Sequence, residues 1–146
     1  MNERKYKVIA HSDHLTFEFL SVGPKGNILK IVEYQHMHEN FYNLAFGDKN
    51  ASGEILDDLI KTNNGDTDIV LFTVASTLFD FFEHYEGTIV FAQGSTHSRN
   101  RLYRRYLTNF LDIINENFIL FGELAGEIER FTIGKDYTSF YIQKKY

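Results

Sequence analysis

Residues 94–105 read GSTHSRNRLYRR and hold four of the six arginines in a chain of formal net charge −5: Arg99, Arg101, Arg104 and Arg105. From Gly87 through Leu111 there is no Asp or Glu, so this stretch carries a formal +4 and the rest of the chain −9. Gly94 follows an apolar run, Ser95, Thr96 and Ser98 supply hydroxyls, and the apolar spacing that follows predicts a helix from about Ser98 to Asn115. The N-terminus of a helix carries free N–H groups and the positive end of its dipole, so it attracts anions and disfavours cations. Arginines crowded into a first turn are therefore expected where a negative group from outside completes the charge balance. That chemistry is anion binding, with phosphate as the natural guest.

On a helical wheel, Arg99 lies within about 60° of Leu102, Tyr103, Tyr106, Phe110, Ile113 and Ile114, at the head of the core stripe. Arg101, Arg104 and Arg105 fall on the opposite half with Thr108, Asp112 and Asn115. A guanidinium on a core stripe must be paired, snorkel to solvent, or face a cleft. Besides an anionic ligand, a capping Ser98 with Arg99 bridged to an internal acid such as Asp57 or Asp58 satisfies the same residues. The other three arginines read by default as a solvated face, and as a binding face if an anionic partner meets them. Tyr103 and Tyr106 belong to the core stripe, where a partly exposed one would stack on a base.

His97 stands between these hydroxyls and arginines, and a general base is the catalytic role open to it. The combination has the residue types of small metal-independent ribonucleases. Neither G-x-x-x-x-G-K-[ST] nor G-x-G-x-x-G occurs, and no nucleophile elbow is present. Without cysteine there is no thiolate nucleophile, thiolate metal site or disulfide. His36 and His38 share one face of a strand, a spacing that chelates only if Glu33 or His14 completes the set. No metal and no cofactor is assigned on that incomplete set. The leading expectation is a binding module for a phosphate-bearing ligand, RNA in preference to duplex DNA. Ser95, Thr96, Ser98, Arg99, Arg101, Tyr103, Arg104 and Arg105 form the contact set. Two alternatives stand beside it. One is a ribonuclease of toxin type, with His97 as acid/base and Arg99 and Arg101 stabilising charge. The other is a structural protein whose arginines meet an acidic partner or a second copy of the chain.

The elements that must position these residues are legible in outline. YKVIA (6–10), LTFEFLSV (15–22), NILKIVEYQHM (27–37) and FYNLAF (41–46) read as strands, with Gly23-Pro24-Lys25-Gly26 as a turn. EILDDLIK (54–61) reads as a further strand before the Asn63-Asn64-Gly65 turn. Residues 67–86 switch to a helical period, capped by Asp66 or Thr67 and ended by Gly87. Val70, Leu71, Val74, Ala75, Leu78, Phe81, Phe82 and Tyr85 make its apolar side, widened by Phe72 and Phe79. Thr73, Ser76, Thr77, Asp80, Glu83 and His84 make its polar side. TIVFA (88–92) reads as a central strand and FILFGEL (118–124) as another, with ERFTIG and YTSFYIQK as a closing hairpin around Gly134-Lys135-Asp136. The expected fold is α+β, a mainly antiparallel sheet with two helices packed on one face, in a single domain spanning 1–146.

FYNLAFGD (41–48), the Asp57-Asp58 pair, TNNGD (62–66), VASTLFDFFEHY (74–85) and GSTHSRNRLYRRYL (94–107) together resemble a family of small bacterial proteins recorded as a domain of unknown function. The resemblance covers most of the chain and implies a single cytoplasmic domain without adding chemistry. That family's typical members have Pro where this chain has His97. The bulk properties agree with such a domain: 146 residues, 43% hydrophobic, one proline and no low-complexity tract. No apolar run approaches the ~18 residues of a membrane span, and the N-terminal segment lacks the apolar core of a secretory signal. A soluble cytoplasmic protein, with no membrane partner, is the expectation.

Overall fold

The computed structural model describes residues 5–49, 55–56 and 64–146. The chain forms two compact units, one from residues 1–35 and 45–86 and the other from 36–44 and 87–146. It is a mixed α/β protein with a mostly antiparallel sheet and, among the described residues, three helices.

The first unit is built on β1 (Ile9–Ala10), β2 (Thr16–Gly23) and the first part of β3 (Gly26–His38), paired antiparallel in that order. Phe17, Phe19 and Ser21 alternate onto the buried side of β2, as a half-buried strand requires. β2 and β3 meet across Pro24-Lys25, with Gly23 opposite Gly26. Both glycines are needed there. Gly26 has φ 91°, and a Cβ on Gly23 would lie 2.0 Å from the Asn64 carbonyl oxygen. Asn64 is buried and holds this turn: its Nδ2 donates to the Gly26 carbonyl (2.8 Å) and its Oδ1 accepts from the Lys25 N–H (2.6 Å). Asn64 is thus a clamp on the first hairpin, two residues ahead of the Asp66 N-cap of the following helix.

In the same unit, α1 (Thr67–His84) presents Val70, Leu71, Val74, Leu78, Phe81 and Phe82 to the core, with the Phe81 ring stacked on Tyr34 at 4.2 Å. The helical period placed these correctly. It misplaced two threonines and a phenylalanine. Thr73 and Thr77 are buried, because each hydroxyl returns its proton to the helix backbone and accepts or shares a bond from outside: Tyr6 N–H at Thr73 and Tyr34 OH at Thr77. Phe79 is 47% exposed instead. The second part of β4 (Phe41–Lys49) pairs with β5 (Ile55–Leu56). Lys30 and Asp48 are both buried, and the Lys30 ammonium donates to the Asp48 carboxylate. The rest of the strand expected over 54–61 lies outside the described residues.

In the second unit the first part of β4 runs parallel to β6 (Ile89–Ala92), Phe41 opposite Ile89. β6 pairs antiparallel with β9 (Ser139–Lys144), β9 with β7 (Phe118–Leu124), and β7 with β8 (Glu127–Arg130). This corrects the closing hairpin expected around residues 134–136. Strand β8 turns back on β7 through Ala125 and Gly126, both at positive φ (54° and 82°), the backbone that a two-residue hairpin turn demands. β9 then takes the other edge of β7. Tyr137 lies fully buried over Gly122, where any Cβ would fall 2.4 Å from its ring.

The second expected helix is two: α2 (His97–Asn109) and α3 (Leu111–Asn117), divided at Phe110 (φ −114°, ψ 17°). Thr108, Asn109 and Phe110 are weak helix formers in a row, which makes this the place to break. The expected pair of helices on one face is replaced by α1 in the first unit and α2 with α3 in the second, where α3 packs on β7.

Candidate functional site

The arginine segment sits where β6 hands over to α2. Gly94 makes that junction possible: a Cβ there would lie 2.7 Å from the Asn100 nitrogen and 2.8 Å from the Arg99 Cβ. Its N–H donates to the buried Asn100 Oδ1 at 2.7 Å, tying the end of the strand to the first turn of the helix. Thr96 is the N-cap, its hydroxyl accepting from the Arg99 N–H at 3.2 Å. The cap is therefore Thr96 and not Ser98. One residue on, the Thr96 carbonyl accepts from the Asn100 N–H (3.0 Å).

Arg99 is buried (6% exposed), as its place on the core stripe predicted, and its Nη1 donates to the Ser95 hydroxyl. Asp57 and Asp58, the internal acids considered for it, lie outside the described residues. Arg104 is pinned to the segment leading into β9: Nη1 donates to the Tyr137 carbonyl at 3.0 Å and Nη2 stands 3.5 Å from Asp136. Arg101 and Arg105 are exposed, and neither has an ion pair among the described residues. Four residues apart on a helix, they point the same way. His97 and Ser98 are also exposed, and among the described residues their backbone N–H groups have no acceptor. Tyr106 is buried and Tyr103 half-buried. The His97 ring has no hydrogen bond among the described residues, whereas a catalytic base is ordinarily held by a third group.

The sequence segment therefore divides into two sets. Ser95, Thr96, Arg99 and Arg104 are joined to neighbouring backbone or side chains. Arg101 and Arg105 are exposed without an ion pair, and the N–H groups of His97 and Ser98 are without an acceptor, among the described residues. Chemically, this second set offers positive charge and hydrogen-bond donors, groups that complement an anion.

The same unit holds a cavity of about 430 Å³ that the sequence reading missed. Phe41, Phe91 and Tyr141 wall it, with ring centroids of Phe91 and Tyr141 5.2 Å apart. Glu123 lines it too, its Oε1 accepting from the Ser139 and Tyr141 hydroxyls, both at 2.9 Å. Partial burial, and then that bond to Glu123, push the Tyr141 phenol above its usual pKa. The alternation of β6 and β9 was the available signal, since Phe91 and Tyr141 are the outward positions between buried Val90, Phe140 and Ile142. His36 and His38, considered as chelators, stand instead beside Tyr42 and Phe41, with ring centroids 5.1 and 5.0 Å apart.

The fold and the helix start define a small mixed α/β protein with an arginine-faced helix beginning at a glycine junction. Residues 2–145 match the family of unknown function DUF6934, and the chain belongs to that family. No curated protein and no solved structure matches it. No helix among the described residues is long and apolar enough to cross a membrane.

Proposed function

We propose that this protein binds a phosphate-bearing ligand at the start of α2, and that the ligand is nucleic acid, single-stranded RNA in preference to duplex DNA. The observation that carries the reading is the exposed pair Arg101 and Arg105, with no acidic residue in the helix and, among the described residues, no acceptor for the N–H groups of His97 and Ser98. Guanidinium groups and helix-start amides both favour phosphate oxygens. The preference for single strands is supported by the aromatic walls of the unit's cavity, because unpaired bases stack on such side chains while a duplex hides them.

Fluorescence anisotropy of a labelled single-stranded RNA, titrated at several salt concentrations, tests this. Affinity is expected to fall steeply with salt, and the double substitution Arg101→Ala/Arg105→Ala to weaken it by at least tenfold while flattening the salt slope by about two phosphate contacts. Unchanged affinity in the double variant, or an association indifferent to salt, defeats the reading. RNA cleavage that His97→Ala abolishes would replace it with the ribonuclease. A co-purifying acidic protein without RNA association would replace it with a protein-binding role.

A further inference from the structure

In the first unit, away from the arginines in sequence, three side chains with metal-binding atoms converge. Asp80 and His84 stand four residues apart at the end of α1 and so share a face of the helix. His14 reaches them from the turn between β1 and β2, where it adopts a left-handed backbone (φ 57°) and its N–H donates to the His11 carbonyl at 3.0 Å. One donor atom from each residue lies within 4.8 Å of the others. Asp80 Oδ1 is 2.7 Å from His14 Nδ1 and 3.3 Å from His84 Nδ1, and the two imidazoles stack with centroids 3.6 Å apart and planes 8° from parallel.

We propose that His14, Asp80 and His84 form a binding site for a borderline divalent transition-metal ion of the zinc class. Two imidazole nitrogens and one carboxylate oxygen suit Zn²⁺ and its neighbours, whereas Mg²⁺ and Ca²⁺ require an all-oxygen shell. The position is also electrostatically suited to a cation. It lies in the last turn of α1, where the helix dipole is negative, and His84 is the one basic group of that turn. Without an ion, His14 Nδ1 and Asp80 Oδ1 stand at hydrogen-bond distance, 2.7 Å. Ligands bonded at about 2.0–2.2 Å to a tetrahedral ion sit farther apart than hydrogen-bonded atoms, so metal entry opens the His14–Asp80 contact and tilts the rings out of their stack. All three side chains are 31–42% exposed, so side-chain rotation is enough.

Three protein ligands leave at least one coordination position for water or a small ligand, the pattern of catalytic and not of structural zinc. Asp80 also lines a cavity of about 380 Å³ together with Lys5, Tyr6, Lys7, Ser76 and Thr77. Two lysines beside a metal ion make that space suitable for an anionic ligand.

The test uses the full chain, stripped with a chelator and titrated with Co²⁺, whose visible d–d absorption reports tetrahedral nitrogen and oxygen ligation. One equivalent of Co²⁺ is expected to bind saturably and be displaced by Zn²⁺. His84→Ala, and His14→Asn, which keeps a residue tolerant of the left-handed backbone, are each expected to weaken binding at least tenfold. Far-UV circular dichroism of the metal-free variants checks that they remain folded. Asp80→Asn, a near-isosteric change, serves as the third variant if either histidine variant unfolds. A double substitution of His36 and His38 is expected to leave binding unchanged. Absence of saturable binding, or binding that follows His36 and His38 instead, overturns the site.

Discussion

The two long helices begin in opposite ways. α1 opens with the chain's own acids: Asp66 stands at the N-cap position and Asp68 in the first turn. α2 opens on a neutral Thr96 cap, with no acid in its first turn and arginines at positions 99 and 101. Every helix start presents the same demand, unpaired N–H groups at the positive end of a dipole. α1 meets the charge part of it from within, through Asp66 and Asp68, without a side-chain bond from its cap. α2 meets part of it with Thr96 and, among the described residues, leaves the N–H groups of His97 and Ser98 without an acceptor and Arg101 exposed without an ion pair. The difference teaches that a helix terminus with built-in counter-charge is complete as a structural joint, while one supplied only with cations is where the proposed anion would complete the balance.

The Asp66 carboxylate sharpens the contrast because it does not cap α1 through its side chain. It accepts from the Tyr6 and Ser21 hydroxyls, each at 2.5 Å, and so fastens the N-terminal segment and β2 to the helix start. Asp66→Ala takes the acceptor from the buried Ser21 hydroxyl and leaves the Tyr6 phenol only the Val22 carbonyl at 3.2 Å, and is expected to lower stability by about 1–3 kcal/mol. Urea denaturation measures this, and a loss below about 1 kcal/mol would show that water replaces the carboxylate. Thr96→Ala removes a single neutral cap bond from α2. The expected loss is about 1 kcal/mol, with RNA affinity held within twofold because the arginine face is untouched. If Thr96→Ala proves the more damaging of the two, the assignment of structural and binding ends is reversed.

Alkaline pH has a smaller effect, through two tyrosines of the first unit. Burial, and then the bond to Asp66, raise the Tyr6 phenol, while burial raises that of Tyr34 further. A phenol whose folded pKa lies above its unfolded value of about 10 contributes stability that is intact below that pH. As pH rises past 10, the unfolded chain releases protons that the folded one keeps, and stability falls. A denaturation midpoint that drops between pH 9.5 and 11, and drops less in Tyr6→Phe, is the expected result.

Local signals carried much of the outline. Phe17 and Phe19 alternate inward on β2, Val70, Val74 and Phe81 keep the period of α1, and Arg99 heads the core stripe of α2, because periodicities of two and of 3.6 residues are properties of the backbone alone. The same periodicity failed at Thr73 and Thr77. Polarity pointed them outward, but hydroxyls that bond the helix's own carbonyls can be buried once Tyr6 and Tyr34 supply the remaining partner. Ala125-Gly126 passed unnoticed as a turn because alanine seldom adopts positive φ, so β8 was assigned the wrong neighbour.

What the sequence determined by itself was charge and period: an arginine-rich helix start without acids, the apolar faces of the helices, and the glycine ahead of α2. What only the tertiary structure decided was which of those groups have company. Arg104 is tied to Tyr137 and Asp136, while Arg101 and Arg105 are not. His14 meets Asp80 from 66 residues away, and His84 beside it. Composition and spacing along a chain fix what each segment would prefer, but the partner of a charge or a lone pair is a matter of distance in space, and distant segments acquire that distance only when the sheet is assembled.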